Sequence, residues 1–255
     1  MSREARRINE AQFTKTASRF AENRALERRG PFEELLRLTA PDAGDRVLDV
    51  ACGAGTLLGM FAPRVRRGVG VDLTTAMLLQ GRARGLEHRG VLLVRGAAEQ
   101  LPFSDGTFSI VVTTWAVHHF ADPLAIVREM VRVCRPGGRV AIGDSVGDED
   151  DAKRARQNAI ERLRDPAHVE VLSPSGLIRL LVVMGLTPIG AAHGELLREF
   201  DEWCRVSAAP PEAAARARAM LVETIPGDLA GLAPLLEGGR LRFRHRWTMV
   251  AAQKA

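Results

Sequence analysis

The 255-residue chain contains no tyrosine, so no tyrosine phenol can act as a base or clamp a cofactor. Its three cysteines, Cys52, Cys134 and Cys204, are odd in number and far apart. They make no CxxC or other metal spacing, which sets aside structural zinc, a disulfide framework and any expected metal. No apolar run reaches the roughly 18 residues that a membrane-spanning helix needs. The opening MSREARRINE is charged and has no apolar core, so it does not read as a secretory signal; a cytoplasmic protein without a membrane span is expected. Lysine is scarce: Lys15, Lys153 and Lys254 leave 33 of the 36 basic residues as arginine. The net charge of +5 invites nucleic acid. The arginines are scattered among acids without a basic arm, so no nucleic-acid partner is expected.

A hydrophobic content of 46% suits a globular chain, read here as a single catalytic domain. Residues 1–40 form an N-terminal helical cap, two helices broken at Gly30-Pro31. From 41 to 150 short apolar runs alternate with helical patterns: RVLDVA, GTLLGMFAPR, VRRGVGVD, TTAMLLQGRARG, VLLVRG, SIVVTTW, ADPLAIVREMVRVC and GRVAIGD. This alternation indicates an α/β fold, a parallel sheet with helices on both faces. Residues 151–200 add a polar helix, a helix opened by Ser173 and closed at Gly185, and a sixth strand. Residues 201–239 read as a helical, alanine-rich cap insertion. In 240–255, Leu241, Phe243, His245, Trp247 and Met249 alternate with Arg242, Arg244 and Arg246, the period of a half-exposed edge strand.

The stretch VLDVACGAGTL carries the chemistry. Gly53 and Gly55 follow a strand and open a helix, where a tight turn and a close ligand need glycine. Asp72 ends the next strand 19 residues after Gly53, the spacing of an acid that accepts ribose hydroxyls. A nicotinamide-binding G-x-G-x-x-G would need a third glycine at position 58, where Leu58 stands. Asp49, four residues before Gly53, suits a ligand ammonium better than a pyrophosphate. S-adenosylmethionine fits both features.

Four blocks in order, VLDVACGAGTL, VGVDLTTAML, RGAAEQLPFSDGTFSIVV and WAVHHFADPLAIVREMVRVCRPGGRVAIGD, resemble the class I S-adenosylmethionine-dependent methyltransferases of the ubiquinone/menaquinone-biosynthesis-like (type 11) group. The resemblance implies a Rossmann-like, seven-stranded, mostly parallel sheet of order 3-2-1-4-5-7-6 with an antiparallel last strand. It implies that Asp49 and the Ala51–Cys52–Gly53–Gly55 turn hold the methionine part. Asp72 takes the ribose, Leu73 and Met77 pack on the adenine, and Ala97, Ala98 and Glu99 line its edge. Thr114 and Trp115 close the methionine end, with His119 beside them. Ala97 departs from the family's frequent aspartate, which removes a bond worth about 1 kcal/mol. S-adenosylhomocysteine would be the product.

TTWAVHH after the fourth strand lacks the Asn/Asp-Pro-Pro-aromatic motif of nucleic-acid amino methyltransferases and the paired glutamates of protein arginine methyltransferases. The cysteines do not suit arsenite. The absence of tyrosine, with Asp144-Ser145-Val146 after strand five, departs from the quinone enzymes themselves. A small, apolar or aromatic organic acceptor is expected, methylated on oxygen or carbon in a tailoring role. For a hydroxyl, His118 is read as the base and Asp144 as its orienter, on adjacent strand ends. His168 is a second base candidate. Other readings make the histidine pair a helix cap packed under the cofactor, His168 a surface residue, and His88, His193 and His245 surface or packing residues. Phe13, Phe20, Trp203 and Leu221 are expected to wall the acceptor beneath a lid. A protein that binds the cofactor for a non-methylating role such as cyclisation is the competing reading. A homodimer is left open.

Overall fold

The computed structural model describes residues 3–22 and 29–255. Five short apolar runs form the parallel heart of the sheet: β1 (Arg46–Val50), β2 (Arg67–Asp72), β3 (Val91–Arg95), β4 (Phe108–Thr114) and β5 (Cys134–Ser145). β1 and β4 are buried along nearly their whole length, because helices cover both faces. β6 (Thr187–Glu199) and β8 (Arg240–Gln253) complete the path 3-2-1-4-5-8-6, and β8 runs antiparallel to both its neighbours. With the short β7 (Leu235–Glu237) set aside, this is the expected order with the expected antiparallel last strand. β7 corrects the helical reading of 201–239. It is an edge segment that turns through Gly238 (φ 55°) and Gly239 (φ 80°) into β8. Two successive left-handed glycines make the tight hairpin that the strand twist favours.

The helices pack by the period of their apolar residues. On one face α5 (Pro123–Val133) and α7 (Pro174–Val182) bury Ile126, Met130, Leu177 and Leu181 against Val111 and Ile142. On the other, α2 (Arg29–Thr39), α3 (Thr56–Phe61) and α4 (Thr75–Ala83) bury Leu35, Leu58 and Leu78 against Ile110 and Val112. Asp122 caps α5 and Ser173 caps α7 through backbone N–H groups of the first turn. α2 carries Gly30-Pro31 in its own first turn, so the helix break expected at these two residues is not there.

The cap is built from α1 (Arg3–Glu22), α6 (Asp151–Arg164), α8 (Phe200–Val206) and α9 (Pro211–Glu223). Its own core gathers Ile160, Phe200, Trp203, Leu221, Leu241 and Phe243. α6 reads as a polar helix, yet it buries Gln157, Asn158, Glu161 and Arg164. Among the described residues no helix is long and apolar enough to cross a membrane.

Candidate active site

The strands β1, β2, β4 and β5 end at one rim, where open α/β sheets bind their ligands. A cavity of about 370 Å³ lies there, beneath Asn9, Phe13 and Phe20 of α1. Its first half is made by the turn after β1. Ala51 (φ 56°), Gly53 (φ 54°) and Gly55 (φ 70°) take left-handed conformations in alternation. A Cβ added to Gly53 would meet nothing within 4 Å, because that side faces the cavity. A Cβ on Gly55 would lie 2.4 Å from Leu86 Cδ1, so Gly55 serves helix packing and does not line the wall.

Asp72 anchors this turn. Its Oδ2 accepts from Gly53 N at 2.8 Å and its Oδ1 from Thr74 N at 2.8 Å. Asp49 is 2% exposed and pairs across the sheet with Gly70 and Val112. Burial, then the charge of Asp72, raises its pKa well above the carboxylate range. Burial also raises Asp72, against the lowering effect of its two backbone bonds. Among the described residues neither acid makes an ion pair with a cationic side chain. Two neighbouring buried carboxylates are costly unless a cation joins them. An ammonium at Asp49 and ribose hydroxyls on the remaining lone pairs of Asp72 fit this wall. Cys52, Leu73, Met77, Ala97, Ala98, Glu99, Thr114 and Trp115 line the same cavity.

The second half is built around His118. β4 and β5 pair in parallel through Thr114 and Gly143, which brings the turn after β4 over Asp144. Asp144 is 1% exposed. Its Oδ2 accepts from His118 N at 2.9 Å, and its Oδ1 from Ser145 N at 2.7 Å and His118 Nδ1 at 2.6 Å. His118 lines the cavity and Asp144 lies behind it. With Nδ1 committed, Nε2 is the nitrogen left to act on a molecule in the cavity. Burial would lower the His118 pKa, but the charge and hydrogen bond of Asp144 outweigh it and raise the value.

His119 also lines the cavity. Its Nδ1 donates to Ala167 O at 3.0 Å, and its ring lies edge-on to Phe13 at 4.9 Å. Burial and the neighbouring His118 lower its pKa to about 4. The pair does not cap the next helix, since Asp122 does so.

His168 corrects both sequence readings of it. It is 5% exposed, so it is no surface residue. It also does not line the cavity. Asn158 Oδ1 accepts from Val171 N at 2.8 Å, which fixes the amide, so His168 Nε2 donates to that oxygen at 2.7 Å. Its ring sits 5.6 Å from that of His118. The cause is the polar face of α6, which draws the 165–171 loop inward. Val169 N and Glu170 N then hold His118 O at 2.9 and 3.1 Å. His168 lies behind His118, away from the cavity.

Phe13, Phe20 and Trp203 line the cavity, while Leu221 lies in the cap core. Phe32, Trp115 and Phe120 join them, so six of the twelve Phe and Trp residues face this one cavity. Sequence reasoning missed Phe32, Arg164, Asp165 and His245 of this wall. Only His245 left a signal there, a polar residue in the apolar register of the last strand.

The Methyltransferase domain family model matches residues 48–142. YcgJ of Bacillus subtilis (strain 168), an uncharacterized methyltransferase, is 31% identical over 207 residues, covering 80% of this chain and 81% of that protein. Its crystal structure superposes with a TM-score of 0.82 over 89% of this chain and 99% of the other, at 27% identity. A putative methyltransferase from Bacillus halodurans C-125 gives 0.82 at 30% identity, over 88% and 98% of the two chains. The demethylmenaquinone methyltransferase of Corynebacterium kroppenstedtii is 36% identical over 102 residues, which spans 40% of this chain and 42% of that one. The chain belongs to the class I S-adenosylmethionine-dependent methyltransferases.

Proposed function

We propose that this protein uses S-adenosylmethionine to methylate a hydroxyl of a small, largely aromatic or apolar acceptor, as a tailoring step. The observation that carries this reading is the His118–Asp144 pair on the wall of an aromatic cavity whose other half is a nucleoside-type turn. S-adenosylmethionine supplies, when bound, an electrophilic methyl group on a sulfonium. Asp49 fits its ammonium and Asp72 its ribose. His118 Nε2 takes the proton that the acceptor hydroxyl gives up as its oxygen becomes an ether. Asp144 keeps the tautomer with Nδ1–H and stabilises the imidazolium that forms. α1 closes the cavity: Gln12 and Arg19 donate to Ser207 O at 2.7 Å and Arg205 O at 2.8 Å, at the C-terminal end of α8. Such a roof keeps water from the reacting atoms. The similarity to a demethylmenaquinone methyltransferase supports an apolar acceptor.

The test has two parts. Calorimetric titration is expected to show binding of S-adenosylhomocysteine and none of NADH. Transfer of labelled methyl to an extractable product is expected to fall by about a hundredfold or more in His118→Ala. Binding of NADH alone would overturn the cofactor reading. Full activity in His118→Ala would overturn the role of the base.

A further inference from the structure

The buried face of β8 carries Leu241, Phe243 and His245 in succession, and the first two belong to the apolar core of the cap. His245 is 7% exposed and lines the same cavity as His118. Its Nε2 lies 2.8 Å from Oε1 of Glu161, a carboxylate 3% exposed on the buried face of α6. Its ring is edge-on to Trp203 at 6.2 Å and to Phe243 at 5.8 Å. A histidine–carboxylate pair in such a place is costly, because an apolar residue would pack there without desolvation.

The hydrogen positions follow from the partners. Burial would raise the Glu161 pKa, but the hydrogen bond from His245 and the charge of Arg164 lower it and favour the ionised group. An ionised carboxylate only accepts, so His245 Nε2 carries the proton. Burial lowers the His245 pKa, and Arg198 and Arg164 lower it further against the pull of Glu161, so the ring is neutral. Nδ1 is therefore a lone-pair acceptor, committed to no hydrogen bond among the described residues. The arrangement repeats that of His118: a carboxylate fixes one ring nitrogen and leaves the other for a molecule in the cavity. β5 stands between the two parent strands.

We propose that His245 is a second anchor for the acceptor, its Nδ1 accepting a hydrogen bond from a hydroxyl remote from the one that faces His118. The acceptor class is then an aromatic or alicyclic compound with at least two hydroxyls on separated positions. This rests on the methyltransferase reading only in calling the bound molecule the acceptor.

The test is calorimetry on the full-length protein, with and without saturating S-adenosylhomocysteine. The probes are naphthol and a set of dihydroxynaphthalenes carrying the second hydroxyl on the other ring. At least one diol is expected to bind about tenfold or more tightly than naphthol, the worth of one matched hydrogen bond. His245→Phe is expected to abolish that advantage. Equal binding by all probes, no binding by any, or an advantage that survives in His245→Phe would overturn the proposal. A nitrogen NMR measurement on histidine-labelled wild-type protein does not depend on the variant folding. The His245 Nδ1 resonance should move with the favoured diol and stay in place with naphthol; an unmoved resonance would also overturn the proposal. Failure of S-adenosylhomocysteine itself to bind would instead count against the cofactor reading.

Discussion

On the proposed reading, Asp49 trades stability for binding of the cofactor's ammonium. Its folded pKa lies above the unfolded value, so its stabilising contribution is present below the unfolded pKa and lost as pH rises through the folded one. At neutral pH the cofactor-free protein therefore bears a cost at this site. Asp49→Asn is expected to raise the unfolding free energy of that preparation by on the order of 1 kcal/mol. The same change should weaken S-adenosylhomocysteine about tenfold or more, by removing the partner of the ammonium. Chemical denaturation and calorimetry on the two proteins check both signs. His118 gives the second residue-scale prediction. Its pKa is raised by Asp144, so the free base forms only above the ordinary histidine range. Methyl transfer should rise with pH to a midpoint above about 6.5. In Asp144→Asn the midpoint should move down while the plateau rate falls, because the charge that raised the pKa also held the imidazolium. A pH–rate profile in which the midpoint stays put would separate His118 from the titration.

At the scale of elements, α6 decides how His118 is held. Asn158 fixes His168 and accepts from Val171 N, and the loop between them supports His118 O. Asn158→Ala leaves a buried N–H and an imidazole without their partner, which should cost about 1–3 kcal/mol. The loss of turnover should exceed the loss of S-adenosylhomocysteine affinity, since Asn158 is on the side proposed for the acceptor. Equal losses in both would show the role to be purely structural. The type of each core element was legible from sequence, because the strands are short apolar runs and the helices repeat at three and four. The buried polar face of α6 was not. A helix rich in arginine and acids reads as solvent-facing unless its partners are known, and one of those partners, His245, lies 84 residues along the chain from Glu161. β7 was hidden for a related reason: three residues pair only because the glycines after them turn the chain back onto β8.

For the whole molecule, buried histidines tie stability to pH. His119 is held neutral to about 4, so the unfolded chain binds its proton first as pH falls. Its contribution to stability is lost between about pH 6.5 and 4, at up to about 1.4 kcal/mol per pH unit. His118 has the opposite sign: its raised pKa stabilises most fully below 6.5 and less above it. Asp49 and Asp72, both raised, also favour the fold on acidification. The clean observable is a difference. Relative to wild type, His119→Phe should gain stability steadily as pH is lowered from 6.5 to 4, measured by urea denaturation at each pH. A difference that does not change with pH would mean that His119 is not held neutral.

The half of the site proposed to hold the cofactor was legible in the sequence alone. Asp49, the Ala51–Gly55 turn and Asp72 lie within one strand–helix–strand unit, where turn chemistry and the end of each strand are local events. The His118–Asp144 pair was within reach too, since adjacent strands carry it 26 residues apart. The half proposed for the acceptor was decided by tertiary structure. Asn9 meets His119 across 110 residues, Gln12 meets Ser207 across 195, and Glu161 meets His245 across 84. No periodicity records such pairings, because each depends on how the cap packs over the sheet rather than on the conformation of any one segment.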